Sequence, residues 1–175
     1  NYFQHQPYLD TFNAENGTKL VSVAEIHYEP FALYPGTKVN LEDLTTGDKI
    51  AVPNDGSNRA RALMLLESAG LITPAEGVGM QATILDIVEN PMGLQIVEME
   101  AAQIDGVRDS VAMAVINGNY ALQAGLFAGT DGIVAEDAAN ATVYTNVLVV
   151  KEGNENSEKT KALIAALQSD AVKEY

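Results

Sequence analysis

The sequence predicts an α/β fold, and three observations carry that prediction. Hydrophobic spacing switches repeatedly between a period of two and a period of 3.6 residues. Continuous apolar runs such as Val111–Ile116 (VAMAVI) have the character of strands buried on both faces. No internal repeat or low-complexity tract interrupts the alternation. Parallel strands joined by helical crossovers are the simplest assembly, and 175 residues suit one compact domain or two small lobes.

Pro7 starts a helix through Tyr8, Leu9 and Phe12 that Gly17 stops, since proline suits the first helical turn and glycine the left-handed exit. Leu20–Ile26 (LVSVAEI) follows as a strand with Val21 and Val23 on one face. It runs through His27, Tyr28 and Glu29 into a stretch punctuated by Pro30, Pro35 and Gly36. That stretch reads as an extended connection, without helix or hairpin character, crossing between lobes. A short helix at Leu41–Leu44 (LEDL) leads to the strand Lys49–Pro53 (KIAVP). Asn54–Asn58 (NDGSN) is a cluster of capping residues ahead of an apolar helix from about Arg59 to Ala69, closed by Gly70.

In the middle of the chain, Ala82–Glu89 (ATILDIVE) fits strand or helix on periodicity alone, and Pro91 ends it. Leu94–Met99 (LQIVEM) alternates as a strand. Asn117-Gly118-Asn119 caps a short helix through Tyr120, Ala121 and Ala124, and Tyr144–Val150 (YTNVLVV) is another buried strand. Glu152–Glu158 (EGNENSE) is a solvated acidic loop. Lys159–Leu167 is an amphipathic helix that Ser169 and Asp170 separate from a final short one.

Composition removes several function classes. Ten Lys and Arg against 24 Asp and Glu leave a formal charge of −14, a surface that repels phosphate, so nucleic-acid binding is excluded as an expectation. With no cysteine, disulfide frameworks, thiolate zinc sites and thiol nucleophiles are absent. No apolar run reaches membrane-spanning length. The first residue is Asn1, and the start reads as a processing or cloning boundary.

The chemical signals are few. Gly77, Gly79 and Ala82 match the GxGxxA spacing of a dinucleotide fingerprint, but Thr73-Pro74-Ala75-Glu76 ahead of them is not a strand, so the match reads as accidental. His5 and His27 sit on different elements and share no HExxH-like spacing, so no metal site and no zinc hydrolysis is expected. Asp86 with Glu89, and Glu98 with Glu100, read as solvated faces rather than acid/base pairs. Two constellations say more. Phe3 and His5, two apart in an extended segment, point to one side and can line an apolar wall that also hydrogen-bonds, although ordinary packing explains them too. The Pro53–Asn58 loop followed by Arg59-Ala60-Arg61 offers helix-start N–H groups and an arginine for a carboxylate or phosphate, although two solvated helix arginines are the plainer account. Asn117 follows a buried strand at the kind of crevice where α/β sheets hold ligands, and a plain helix cap explains it better by sequence alone.

Taken together, these residues resemble a known family. Phe3-Gln4-His5-Gln6-Pro7-Tyr8-Leu9, His27-Tyr28-Glu29-Pro30 with Leu33-Tyr34, and Ile50-Ala51-Val52-Pro53-Asn54-Asp55 with Asn58, Arg61, Ala62 and Leu63 are similar to the methionine-binding lipoproteins, the MetQ/NlpA family. Asp86-Ile87-Val88-Glu89-Asn90-Pro91, Glu100-Ala101-Ala102-Gln103, Ala114-Val115-Ile116-Asn117 with Asn119-Tyr120-Ala121, and Val149-Val150 continue the likeness in the same order over nearly the whole chain. The resemblance implies a two-lobe, type II periplasmic-binding-protein-like fold, with residues 1–36 in the first lobe, 37–123 forming the second and 124–175 returning to the first. It also implies a fragment. Family members begin with a lipobox cysteine and a first βαβ segment that this chain lacks, so the first lobe is expected to be incomplete, with an open edge inviting domain swapping or the missing segment. Arg59 stands where the family usually has a small or acidic residue, and Tyr28 where it usually has an aliphatic one.

The function implied is capture of L-methionine or a related amino acid and delivery to the membrane subunits of an ABC importer, with no cofactor and no catalysis. The expected location is the cell envelope, on the periplasmic or extracellular face, touching the membrane only through a lipid anchor outside this chain. The implied ligand-binding residues are Phe3, His5, Tyr28, Asn58, Arg61 and Asn117. Arg61 would hold the carboxylate with help from Asn58, Asn117 the carboxylate or ammonium, and Phe3 with His5 the thioether. Sequence physics alone does not choose Arg61 over Arg59; the resemblance does. An enzyme on the same bilobal scaffold, acting on a small amino-acid-like or pyrimidine-like substrate, is the alternative and would need His5 or His27 as its base. A surface interaction module stands third.

Overall fold

The computed structural model describes residues 1–137 and 142–173 and separates into two units, Asn1–Tyr28 with Ala139–Tyr175 and Glu29–Ala138. In chain order the first elements are β1 (Gln4–His5), α1 (Gln6–Asn16), β2 (Leu20–His27), β3 (Ala32–Pro35), β4 (Lys49–Pro53) and α2 (Gly56–Ser68). There follow β5 (Thr73–Pro74), β6 (Ile87–Glu89), β7 (Gln95–Met99), β8 (Met113–Ile116), α3 (Gly118–Gln123) and β9 (Val134–Ala135). The last are β10 (Asn146–Lys151), α4 (Glu158–Leu167) and α5 (Asp170–Lys173).

The unit built on Glu29–Ala138 holds a five-stranded sheet in the order β7-β4-β8-β3-β9. Its apolar runs are continuous because both faces are covered. Ile50, Val52, Met113, Val115, Phe31 and Leu33 point to one face, where Ala60, Leu63 and Leu66 of α2 cover them. Ala51, Ala114, Ile116, Ala32 and Tyr34 point to the other, against Ile104 and Ala121. Only part of this sheet is parallel: β4 runs with β7 and β8, whereas β3 is antiparallel to both β8 and β9. The all-parallel expectation is thereby corrected. The segment around Pro30, Pro35 and Gly36 is a sheet strand, not a bare connection: Leu33 pairs with Val115 and Val134. Gly36 serves close approach, since a Cβ there would lie 2.4 Å from the Val111 carbonyl oxygen. With β3 and β9 both in this sheet, the unit begins at Glu29 and ends at Ala138, where the sequence expectation had 37 and 123.

Other local readings move by a turn or less. Asp55 caps α2 by accepting the Asn58 N–H at 3.0 Å, so the helix starts at Gly56 rather than near Arg59. Ala82–Glu89 divides into a one-turn 3-10 helix at Ile84–Asp86, closed by reciprocal Thr83 and Asp86 bonds, and then β6, which pairs with β5. Thr73–Pro74, expected not to be a strand, form the two-residue β5, but Gly77 and Gly79, both at positive φ, lead into a single 3-10 turn, so the GxGxxA spacing opens no α-helix of the kind a dinucleotide site needs.

The unit built on the chain ends is an antiparallel sheet, β1-β10-β2. Gly17, at φ 61°, terminates α1 as expected, its left-handed conformation closing the last turn. Thr142–Tyr144 form a 3-10 turn, so β10 opens at Asn146, two residues later than the hydrophobic run suggests. Leu9 of α1 packs with Val147 and Val149 as the small core here.

Candidate functional site

In the Glu29–Ala138 unit, β4 and β8 run side by side and each feeds a helix at its carboxyl end. The same edge receives the start of β3, because that strand is antiparallel to β8, and the end of β9, which is antiparallel to β3. Asp55, Asn117, Glu29, Phe31 and Glu136 are therefore brought to one rim by topology alone. This is the crevice at strand ends where α/β sheets accept ligands.

Arg61 is the charged centre of that rim. It lies on the apolar side of α2, between Ala60 and Ala62, and its side chain is only 3% exposed. Such a cation must be paired. Its Nε donates to both carboxylate oxygens of Glu136 at 3.0 Å, and Nη2 donates to Glu136 and, at 3.0 Å, to the Glu29 carbonyl. The guanidinium also lies over the Phe31 ring, 4.4 Å from its centroid. Glu136 is held in place by its own N–H, which donates to the Phe31 carbonyl at 2.9 Å. Arg59, two residues earlier, turns instead to Glu98 of β7, with Nε 3.6 Å from Oε1, and is 26% exposed. The two arginines that sequence physics could not rank are thus different in kind: one is buried at the strand-end rim, the other is half-buried against a neighbouring strand.

Asn58 and Asn117 flank this centre. The Asn58 side-chain amide donates to Asp55 at 3.1 Å, and its carboxamide oxygen is buried with no donor among the described residues. Asn117 occupies the N-cap position of α3, yet its side chain makes no capping bond. The residue is 9% exposed, and its Oδ1 likewise has no donor among the described residues. The plain cap favoured by sequence is therefore replaced by a buried carboxamide with an unused acceptor. Gly118 next to it packs tightly on Glu29 and Pro30, so Asn117 and the carbonyl that Arg61 binds are parts of one contact.

The residues expected as an apolar wall lie in the other unit. Phe3 has φ 81°, a left-handed backbone, so Phe3 and His5 are not alternate residues of one extended segment as the sequence predicts. The Phe3 ring meets Tyr2 and His27 edge-on, each at 5.3 Å between centroids, and is 50% exposed. His5 is buried and meets Tyr144 at 5.6 Å. The Tyr2 hydroxyl hydrogen-bonds His27 Nδ1. Tyr28 is half-buried directly after β2. Asn146, buried at the start of β10, pairs across the sheet with His5 on one side and His27 on the other. A polar residue inside the run YTNVLVV was a readable signal for it. Nothing in the local sequence singled out Glu136. Among the described residues, no three carboxylates or histidines converge as a metal site, and no helix is long and apolar enough to cross a membrane.

The family profile described as NlpA lipoprotein matches residues 1–175. The membrane lipoprotein TpN32 of Treponema pallidum is 47% identical over 100% of this chain and 65% of its own length. The D-methionine-binding lipoprotein MetQ of Escherichia coli is 44% identical over 99% of this chain and 64% of its own length. This chain thus spans somewhat under two thirds of those relatives. A nutrient-binding protein from Burkholderia cenocepacia, solved bound to methionine, superposes with a TM-score of 0.92 at 43% identity, covering 99% of this chain and 73% of that one. The α/β binding-protein fold expected from sequence is borne out by that likeness.

Proposed function

The chain belongs to the NlpA lipoprotein family, and on that premise we propose that it captures methionine or a close analogue and delivers it to the membrane subunits of an ABC importer. One observation carries the reading: a buried guanidinium, Arg61, and a buried acceptor without a donor, Asn117 Oδ1, stand at the same strand-end rim. An α-amino acid is the complementary object, since its carboxylate suits the cation and its ammonium the oxygen. Asn58 Oδ1, at the start of α2, adds a second acceptor of the same kind. The name of the Escherichia coli relative and the methionine in the Burkholderia cenocepacia structure support the choice of amino acid.

A thioether calls for a polarisable apolar surface, and the half-exposed Phe3 ring in its cluster with Tyr2 and His27 has that character. His5 and Tyr28 belong to the same proposed set, His5 through its packing on Tyr144 and Tyr28 through its place at the end of β2. On this reading the full-length protein works at the cell envelope, tethered by a lipid anchor. An enzymatic role has less to stand on, because the two histidines it would need as a base are engaged by aromatic neighbours, His27 by Tyr2 and His5 by Tyr144.

Titration calorimetry of the full-length protein with L-methionine, D-methionine and methionine sulfoxide tests the reading. Saturable one-site heat with at least one of them is expected. No heat and no thermal shift with any of the three would refute it.

A further inference from the structure

We propose that Glu136 sets the ligand preference of this rim for zwitterions over simple carboxylate anions, by neutralising Arg61 before any ligand arrives. The inference rests on the amino-acid-binding reading above and concerns which charge form that site accepts. Its basis is the geometry of the pair: Glu136 engages the Nε and Nη2 side of the guanidinium, with the partners 14% and 3% exposed. The Glu29 carbonyl and the Phe31 ring hold the same cation from other directions, so Arg61 cannot swing away from Glu136 to meet a ligand without giving up both.

Charge accounting then decides the preference. A carboxylate that binds Arg61 here makes two carboxylates share one guanidinium, an excess negative charge in a poorly hydrated place. A zwitterion brings its own ammonium and restores neutrality, with Asn117 Oδ1 as a waiting acceptor. A hydroxy acid of the same shape carries the carboxylate alone and leaves the excess uncompensated. Once Glu136 is made neutral, the balance reverses: the hydroxy acid now closes a neutral pair with Arg61, and the zwitterion adds an unmatched cation. Glu136 is in this sense a specificity residue that acts through Arg61.

The experiment compares L-methionine with its α-hydroxy analogue, 2-hydroxy-4-(methylthio)butanoate, by calorimetry on full-length wild type, Glu136→Gln and Glu136→Asp. Wild type is expected to favour methionine by about 10-fold or more, since one uncompensated, partly buried charge is worth at least that. Glu136→Gln is expected to shift the affinity ratio toward the hydroxy acid by about 10-fold or more, and Glu136→Asp to keep it within about threefold of wild type. A purely structural role would weaken both ligands together and leave the ratio unchanged. That result in folded Glu136→Gln overturns the proposal while leaving methionine binding intact. Should Glu136→Gln fail to fold, the wild-type comparison decides, and near-equal affinities for the two compounds overturn the proposal. Wild type silent to both compounds removes the functional reading, and this inference with it.

Discussion

Gly118 and Gly56 form a matched pair that tests the packing of the strand-end rim. Both are the first residue of a helix, after the caps Asn117 and Asp55, and neither has positive φ. Alanine is the better helix former by up to ~1 kcal/mol, so the change should be neutral or mildly stabilising wherever space allows. At Gly56 there is space, with nothing within 4 Å of a new Cβ. At Gly118 the new Cβ would lie 2.9 Å from Glu29 Cβ and 2.9 Å from the Pro30 carbonyl oxygen. Backbone has to move, and overpacking of this kind costs about 1 to 3 kcal/mol. The expected gap between Gly118→Ala and Gly56→Ala is therefore about 1 to 4 kcal/mol, with opposite signs relative to wild type. Urea denaturation followed by far-UV circular dichroism reads it as a midpoint shift at constant slope. Because the displaced segment carries the Glu29 carbonyl that Arg61 binds, Gly118→Ala should weaken methionine binding as well. A Gly118→Ala protein as stable as Gly56→Ala would show that the contact has slack and that the reasoning about the rim is wrong.

Arg61→Ala should lower methionine affinity by roughly 2 to 4 kcal/mol and destabilise the fold by about 3 to 5 kcal/mol, since Glu136 is left buried without its cation. Arg59→Ala should cost far less on both counts, and calorimetry showing equal losses in affinity would reverse the assignment. The Thr83 hydroxyl and N–H hold the Asp86 carboxyl below the usual carboxylate range. A folded value below the unfolded one means that this contribution to stability is present above pH ~4 and is lost as pH falls through the folded value. Urea midpoints measured from pH 5 down to pH 2.5 should thus fall less steeply for Asp86→Asn than for wild type, and parallel curves would contradict the cap.

Sequence physics reached some of this fold and not the rest, for reasons that differ by element. β4 and β8 were legible because a sheet covered on both faces needs unbroken apolar runs, and KIAVP and VAMAVI are such runs. β3 was not. Its apolar run is only the four residues Phe31, Ala32, Leu33 and Tyr34 between Pro30 and Pro35, and its partners Val115 and Val134 lie far along the chain. The antiparallel pairings were hidden for the same reason, as direction is a property of partners and not of local pattern. At the site, Arg61, Asn58 and Asn117 could be nominated from a helix start and a strand end. The choice of Arg61 over Arg59 needed the family resemblance. Glu136 lies 75 residues from Arg61 and carries no local mark of its role. The extended segment read from Phe3 to His5 was not legible as it is, because a left-handed backbone at Phe3 leaves no mark in the hydrophobic pattern.

The division of the chain has a consequence for how the protein comes to be. The Glu29–Ala138 unit is one uninterrupted stretch, and its sheet is completed by strands drawn only from that stretch. The other unit draws on both sides of that stretch: among the described residues β2 pairs with β10 alone, which sets Lys151 against Leu20. On a ribosome the inner unit can close before β10 has been made to pair with β2. The late segment that carries β10 is therefore the one whose loss by premature termination would leave an intact inner unit attached to a β2 without its β10 partner.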